Sequence, residues 1–182
     1  MSAPVYSSSI YDFSRLNLTG GESALAAFIN QFAKNERAKW QKKVALLQEQ
    51  LQQLPHLSGS LLLNLEAPRL NTRCDAVILY RGLVFVVCLN MDAADYSAES
   101  IEQSDNQARS FKQHHPICAD KFIVPVLLAT AAQPQGSAIH VSQDLVADTM
   151  CDTGAHLALL IEHFANQYKA DEITLEDWQQ VS

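Results

Sequence analysis

The sequence predicts an α/β fold of the α+β-like kind, a mixed sheet of four to five strands flanked by helices. Three observations predict it. Runs of Val, Ile and Leu without charge, AVILY at 76–80, LVFVVCL at 83–89 and FIVPVLLA at 122–129, read as strands covered on both faces. The first two are joined only by Arg81-Gly82, a tight turn that makes them antiparallel, whereas a helical stretch separates the second from the third and makes that pair parallel. Helical spacing of apolar residues recurs before and after the strands, as in HLALLIEHFANQY, His156 to Tyr168.

The elements follow in order. Ser7–Ser9 is a polar start to a short helix ending near Leu18, and TGGES (Thr19–Ser23) is a break. Small and apolar residues from Ser23 to about Phe32 recur at helical spacing. A longer helix runs roughly from Glu36 to Leu54, where Trp40, Val44, Leu47, Leu51 and Leu54 form a one-sided stripe. Pro55 and Ser58-Gly59-Ser60 end it. LLLNLEAP (Leu61–Pro68), CDAVILYRG and LVFVVCLN are three successive strand segments. Asp92 to Ser97 is a polar loop, and Ala98 to about His115 is a helix with its short apolar face at Ile101, Ala108 and Phe111. FIVPVLLAT (Phe122–Thr130) is the fourth strand, AAQPQGS a loop, and AIHVS (Ala138–Ser142) a short fifth strand. The expected organisation is one domain over 1–170, with a helical part at 1–55 and a core at 56–170, followed by an acidic tail or linker at 171–182 in which Trp178 is exposed.

Composition narrows the class. A chain of 182 residues with 48% hydrophobic and 18% charged residues suits one globular domain with a sizeable core. No apolar run reaches the roughly 18–20 residues of a membrane span. The start MSAPVYSSSIYDFSRL lacks a basic, apolar leader, and the four cysteines form no CxxC pair, so the expectation is a cytoplasmic protein with reduced thiols. Net charge is −7, and its placement is uneven. Residues 1–115 balance 11 Lys/Arg against 11 Asp/Glu, while 116–182 hold two bases against nine acids. A tight polyanion binder normally presents a basic surface, and the local basic cluster here is Lys34, Arg37, Lys39, Lys42 and Lys43. Such a run is ordinarily a solvated helix face.

Chemistry concentrates in the strands. Charged residues are rare in apolar strands without a partner or a task, yet Glu66 ends LLLNL and Asp75 opens AVILY. Side chains alternate, so Cys88 and Asn90 share a face with Val84 and Val86. An acid opening one strand and an acid-x-lysine ending the next would hold Mg²⁺ on oxygen ligands and activate water against a phosphodiester.

The arrangement resembles the PD-(D/E)xK nuclease superfamily. Within it the chain is most similar to the domain preceding the ATPase in Schlafen-group-3-like ATPase/helicase proteins. The resemblance is carried by YSSSIYDFSRL, by the Trp40 helix, by LEAPRLNTRCDAVIL with Glu66, Arg73 and Asp75, by QSDNQARSFKQHH with Gln103, Ala108 and His115, and by IVPVLLAT. It covers nearly the whole chain and implies a restriction-endonuclease-like core. It further implies a setting in DNA or RNA processing or defence, and an ATPase domain or partner that meets the acidic last third and Trp178. Lys39, Lys42, Lys43 and Arg73 are the expected nucleic-acid contacts. No GxxxxGK[ST] phosphate loop occurs in this sequence.

One departure dominates. Where those relatives place Glu-x-Lys, this chain has Cys88-Leu89-Asn90. Cysteine is a poor Mg²⁺ ligand and asparagine carries no positive charge. Glu66, Asp75, Cys88, Asn90 and Gln103 therefore read as a vestigial catalytic set, with no cofactor and no hydrolysis expected. The alternative is an active nuclease with displaced ligands, in which Glu66, Asp75 and Asp92 hold Mg²⁺ and Lys112 supplies the ammonium. A third reading is a purely structural adaptor for a partner protein or ATPase. HHPIC (His114–Cys118) lacks the paired spacing of a zinc site, even with Asp120, Cys151 or His156 as further donors. Cys88 in an apolar strand reads as a small hydrophobe before it reads as a nucleophile. His156 and His163, seven apart, share a helix face without implying ligation.

Overall fold

A computed structural model describes residues 5–15, 24–54, 59–133 and 140–180. It has a mixed six-stranded sheet in the order β1-β2-β3-β4-β5-β6. The strands are β1 (Tyr6–Ser9), β2 (Ser60–Glu66), β3 (Arg73–Tyr80), β4 (Leu83–Asn90), β5 (Phe122–Ala129) and β6 (Met150–Asp152). Pairing is antiparallel from β1 through β4 and parallel for β4–β5 and β5–β6. The helices are α1 (Ile10–Arg15), α2 (Ala24–Asn30), α3 (Lys34–Leu51), α4 (Ala98–His114), α5 (Leu157–Tyr168) and α6 (Leu175–Gln180), with a 3₁₀ turn at Pro116–Asp120.

The predicted mixed sheet between helices is what the chain forms, with six strands in place of four to five. Two strands escape sequence reasoning. β1 is YSSS, a polar run with no apolar alternation, and it is a strand because β2 offers it a ladder from Tyr6↔Leu63 to Ser9↔Ser60. β6 is three residues long, too short to carry a period. The expected fifth strand AIHVS corresponds to no sheet strand among the described residues. Its first two residues lie outside the described set, and Val141 makes an isolated bridge to Ala147. Leu16–Leu18 and TGGES also lie outside it.

Helices cover both faces of the sheet. The α3 stripe Trp40, Val44, Leu47 and Leu51 is buried together with Phe28 of α2 and with Leu157, Ile161 and Phe164 of α5. Their sheet-side partners are Leu61, Leu63, Ile78, Phe85, Val87 and Val124. On the opposite face Ala108 and Phe111 of α4 pack with Leu62, Val77, Leu79, Val84 and Val86, joined by Ile173 and Trp178. The β3–β4 turn uses Arg81 and Gly82, both at positive φ (51° and 85°), the two-residue hairpin geometry that matches strand twist. Gly82 is required twice over, because a Cβ there would stand 2.6 Å from the backbone of Ala170.

The expected acidic tail is part of the fold. Trp178 is 2% exposed, not free for a partner. Its ring stacks on His115 at 3.8 Å and lies 5.7 Å from Phe111. The acids of this segment gave it a solvated look, but α6 turns one apolar edge inward and leaves Glu176 and Asp177 exposed. Among the described residues, no helix is long and apolar enough to cross a membrane.

Candidate functional site

The site is governed by an irregularity shared by β2 and β3. Leu61 and Leu63 face α3, so strict alternation would turn Leu65 the same way, yet Leu65 packs on the α4 side. On β3, Ala76 faces α3, but Cys74, two residues away, packs on the α4 side. Both strands thus exchange faces between the pairs Leu63↔Ala76 and Leu65↔Cys74, which flank Asn64 and Asp75. Asn64 has φ 60°, a left-handed conformation that breaks the pleat.

This exchange swings Asp75 toward α3. Its Oδ1 accepts from Lys43 Nζ at 2.7 Å, and its Oδ2 accepts from the Leu89 amide at 2.6 Å. The β3–β4 ladder ends at Ala76↔Val87, so the carboxylate takes the place of the missing backbone acceptor for Leu89. Lys43 is fixed from a second side by Trp40, whose ring centroid lies 4.8 Å from Nζ. The pair is largely sheltered, with side chains 14% and 21% exposed.

Cys88 and Asn90 face the other way, as their parity with Val84 and Val86 predicts. Cys88 Sγ donates to Gln107 Oε1 at 3.0 Å, and Asn90 Nδ2 donates to Ser100 Oγ at 3.4 Å, both acceptors being on α4. Gln107 Nε2 in turn donates to Thr72 Oγ1 at 3.1 Å and to the Arg73 carbonyl at 3.4 Å. Burial pushes the Cys88 thiol up to about 11. A thiol raised that far stays protonated at neutral pH, the form in which cysteine packs as a small apolar side chain.

Glu66 sits at the end of β2, largely exposed, 3.3 Å from Arg73 NH1. It borders a groove with Phe111, His115 and Trp178 on the α4 side. Arg73 also donates from Nε to the Asn64 carbonyl at 2.8 Å, bracing the irregular turn of β2. Arg73 is therefore engaged with Glu66 and Asn64 and not with the lysines of α3. Asp92 is exposed at positive φ (65°), and its carboxylate lies 3.9 Å from Lys42 Nζ.

Several assignments move. Gln103 is exposed in a shallow groove with Glu99, Glu102 and Asn106, while its neighbour one turn on, Gln107, is the buried amide behind Cys88. Lys112 donates to the Lys121 carbonyl at 2.7 Å, beside Asp120 and Asp144, and is not the ammonium near Asp75. That position belongs to Lys43, which sequence reasoning grouped with a solvated basic run. The signal was present: Lys43 adjoins the core stripe between Trp40 and Val44. Among the described residues, no three His, Cys, Asp or Glu side chains converge as metal ligands. Glu66, Asp75 and Asp92 have separate partners.

Lys39, Lys42 and Lys43 line a cleft of about 370 Å³ with Asn90, Met91 and Asp92, at the carboxyl end of β4. Each lysine has an acid beside it: Glu36 at 3.3 Å, Asp92 at 3.9 Å and Asp75 at 2.7 Å. The cleft is consequently close to neutral. No protein-family model, curated protein or solved structure matches the chain.

Proposed function

We propose that this chain is a degenerate domain of the PD-(D/E)xK nuclease type that does not cut and serves as a binding module in DNA or RNA processing or defence. One observation supports this above the rest. Asp75 has both oxygens occupied by Lys43 and the Leu89 amide, on the face opposite Cys88 and Asn90. A hydrolytic Mg²⁺ centre needs two carboxylates and an ammonium around one point. Here the carboxylates are apart, and the strand that should carry the second one presents a protonated thiol to α4.

The paired lysines favour weak nucleic-acid contact. Lys39 and Lys42 are the exposed members of the cleft, and about two phosphate contacts give only a shallow salt dependence. A protein partner, including an ATPase domain, would meet the exposed acids of the last third, since Trp178 is occupied within the fold.

A second reading is an active nuclease with a displaced lysine, favoured by Lys43 standing 2.7 Å from Asp75. One experiment separates the two. Purified protein incubated with single- and double-stranded DNA and RNA in Mg²⁺ or Mn²⁺ is expected to leave all of them intact. The double variant C88E/N90K is expected to regain no cleavage either, because both side chains point at α4. Cleavage that disappears in Asp75→Ala overturns the non-cutting reading in favour of the second.

A further inference from the structure

A second cleft of about 370 Å³ lies between the latter half of α3 and the carboxyl ends of β5 and β6, where Thr130 follows β5 and Thr153 follows β6. β4, β5 and β6 run parallel, and the crevice beyond the carboxyl ends of parallel strands is where open α/β sheets hold their ligands. The wall of this cleft carries Gln50, a polar side chain only 5% exposed. Gln50 Oε1 accepts from the Ala158 amide at 3.0 Å, which fixes the sense of the side-chain amide and leaves Nε2 as the polar atom offered to the cleft. Nothing among the described residues accepts from Nε2, and unlike Ser104 Oγ it is not closed to water. A donor held this deep without a protein partner calls for an acceptor that enters the cleft.

The other polar groups narrow the guest. Thr130 Oγ1 accepts from the Asp92 amide and Thr153 Oγ1 from the Ala155 amide, so each hydroxyl keeps its hydrogen to donate. The start of α5 offers no anion site, because Asp152 accepts from the Gly154 and His156 amides at 2.9 and 3.1 Å and Gln50 takes the Ala158 amide. Among the described residues no lysine or arginine lines the cleft, and the charge on its rim is the exposed carboxylate of Glu49. Donors within and an acceptor at the rim match hydroxyl groups, each of which accepts and donates at once. Leu46 adds an apolar wall for the C–H face of such a guest, and the volume lies within the roughly 300–1,000 Å³ of small-molecule sites. We propose that this cleft is a binding site for a neutral polyhydroxylated molecule of monosaccharide size, held through its oxygens by Gln50 Nε2, Thr130 and Thr153 and through a hydroxyl hydrogen by Glu49. The site is separate from the Asp75–Lys43 pair and does not depend on the nuclease-like reading.

The test uses the intact protein and three neutral hexoses, glucose, galactose and mannose. Binding is read by NMR through the Gln50 side-chain amide and the Gly154 backbone amide, the latter alone in Gln50 variants. At least one hexose is expected to shift these resonances saturably with a Kd of roughly 1 mM, which a few net neutral hydrogen bonds supply. The uronate of that hexose, an anion, is expected to bind more weakly, and acetamide, an acceptor without hydroxyls, to show no saturation in the same range. Gln50→Met keeps the length of the side chain and removes its donors, and is expected to weaken the hexose about tenfold. Ala155→Trp, at an exposed position, fills the cleft and is expected to abolish binding. Should Gln50→Met fail to fold, Thr153→Val replaces it, with an expected loss of about fivefold for one donor. No saturable shift with any hexose overturns the proposal. So does a uronate or acetamide that binds as tightly as the hexose, or an affinity that Gln50→Met, its replacement or Ala155→Trp leaves unchanged.

Discussion

Asp75 holds two parts of the protein at once. One oxygen neutralises Lys43 and the other replaces a strand partner for Leu89. Removing it leaves a lysine 14% exposed without its counter-charge and an inward amide without an acceptor. Asp75→Ala is therefore expected to cost about 2–4 kcal/mol, and Asp75→Asn, which keeps an acceptor for Leu89, about half of that. Urea denaturation of both variants checks the order. The Lys43→Met, Asp75→Ala double variant is expected to recover part of the loss, since it buries no lone charge. The residue type was legible in the sequence, as was its oddity at the head of an apolar strand. Its partner was not, because Lys43 lies 32 residues earlier within a run of bases that has every mark of a solvent-facing helix side.

At the scale of elements, long apolar segments were readable and short polar ones were not. β3, β4 and β5 bury almost every residue, so their composition alone identifies them. α3 and α5 show a 3.6-residue stripe that only a one-sided helix needs. β1 and β6 are strands because a neighbour supplies hydrogen bonds, a property that no local period records. The β3–β4 hairpin is the element most sensitive to one residue. Gly82→Ala adds a methyl group at φ 85° and against the Ala170 backbone at 2.6 Å, which also donates its N–H to the Arg81 carbonyl at 2.9 Å. A loss of about 2–3 kcal/mol is expected, with the melting temperature as the measurement.

For the whole molecule, Ile173 and Trp178 complete the core of the α4 face. Ile173 and Trp178 close over Phe111 and His115, so α6 and the crossover helix α4 stabilise each other. This closure contains a titrating group. The pKa of His115 is depressed in the folded state, chiefly by burial. Below the unfolded value of about 6.5 the unfolded chain binds more protons than the native one, so stability is full above that pH and falls as the pH drops through it. Urea midpoints at pH 7.5 and 5.5 are expected to differ in that direction. His115→Phe is expected to flatten the difference.

The sequence by itself determined a mixed sheet between amphipathic helices, the hairpin at Arg81-Gly82, and a strand holding Cys88 and Asn90 on one face. All of these follow from local periods and turn chemistry. Tertiary structure decided what those residues do. The face exchange at Asn64 and Asp75 depends on a left-handed backbone angle that alternation counting takes as regular pleat. Because of it, Asp75 meets Lys43 across the α3 interface while Cys88 meets Gln107 across the α4 interface. Trp178, in an acidic segment with every local sign of exposure, is buried because its binding surface is assembled from α4 and β2, far away along the chain. Periodicity reports which side of an element avoids water. It does not report which distant surface that side will find.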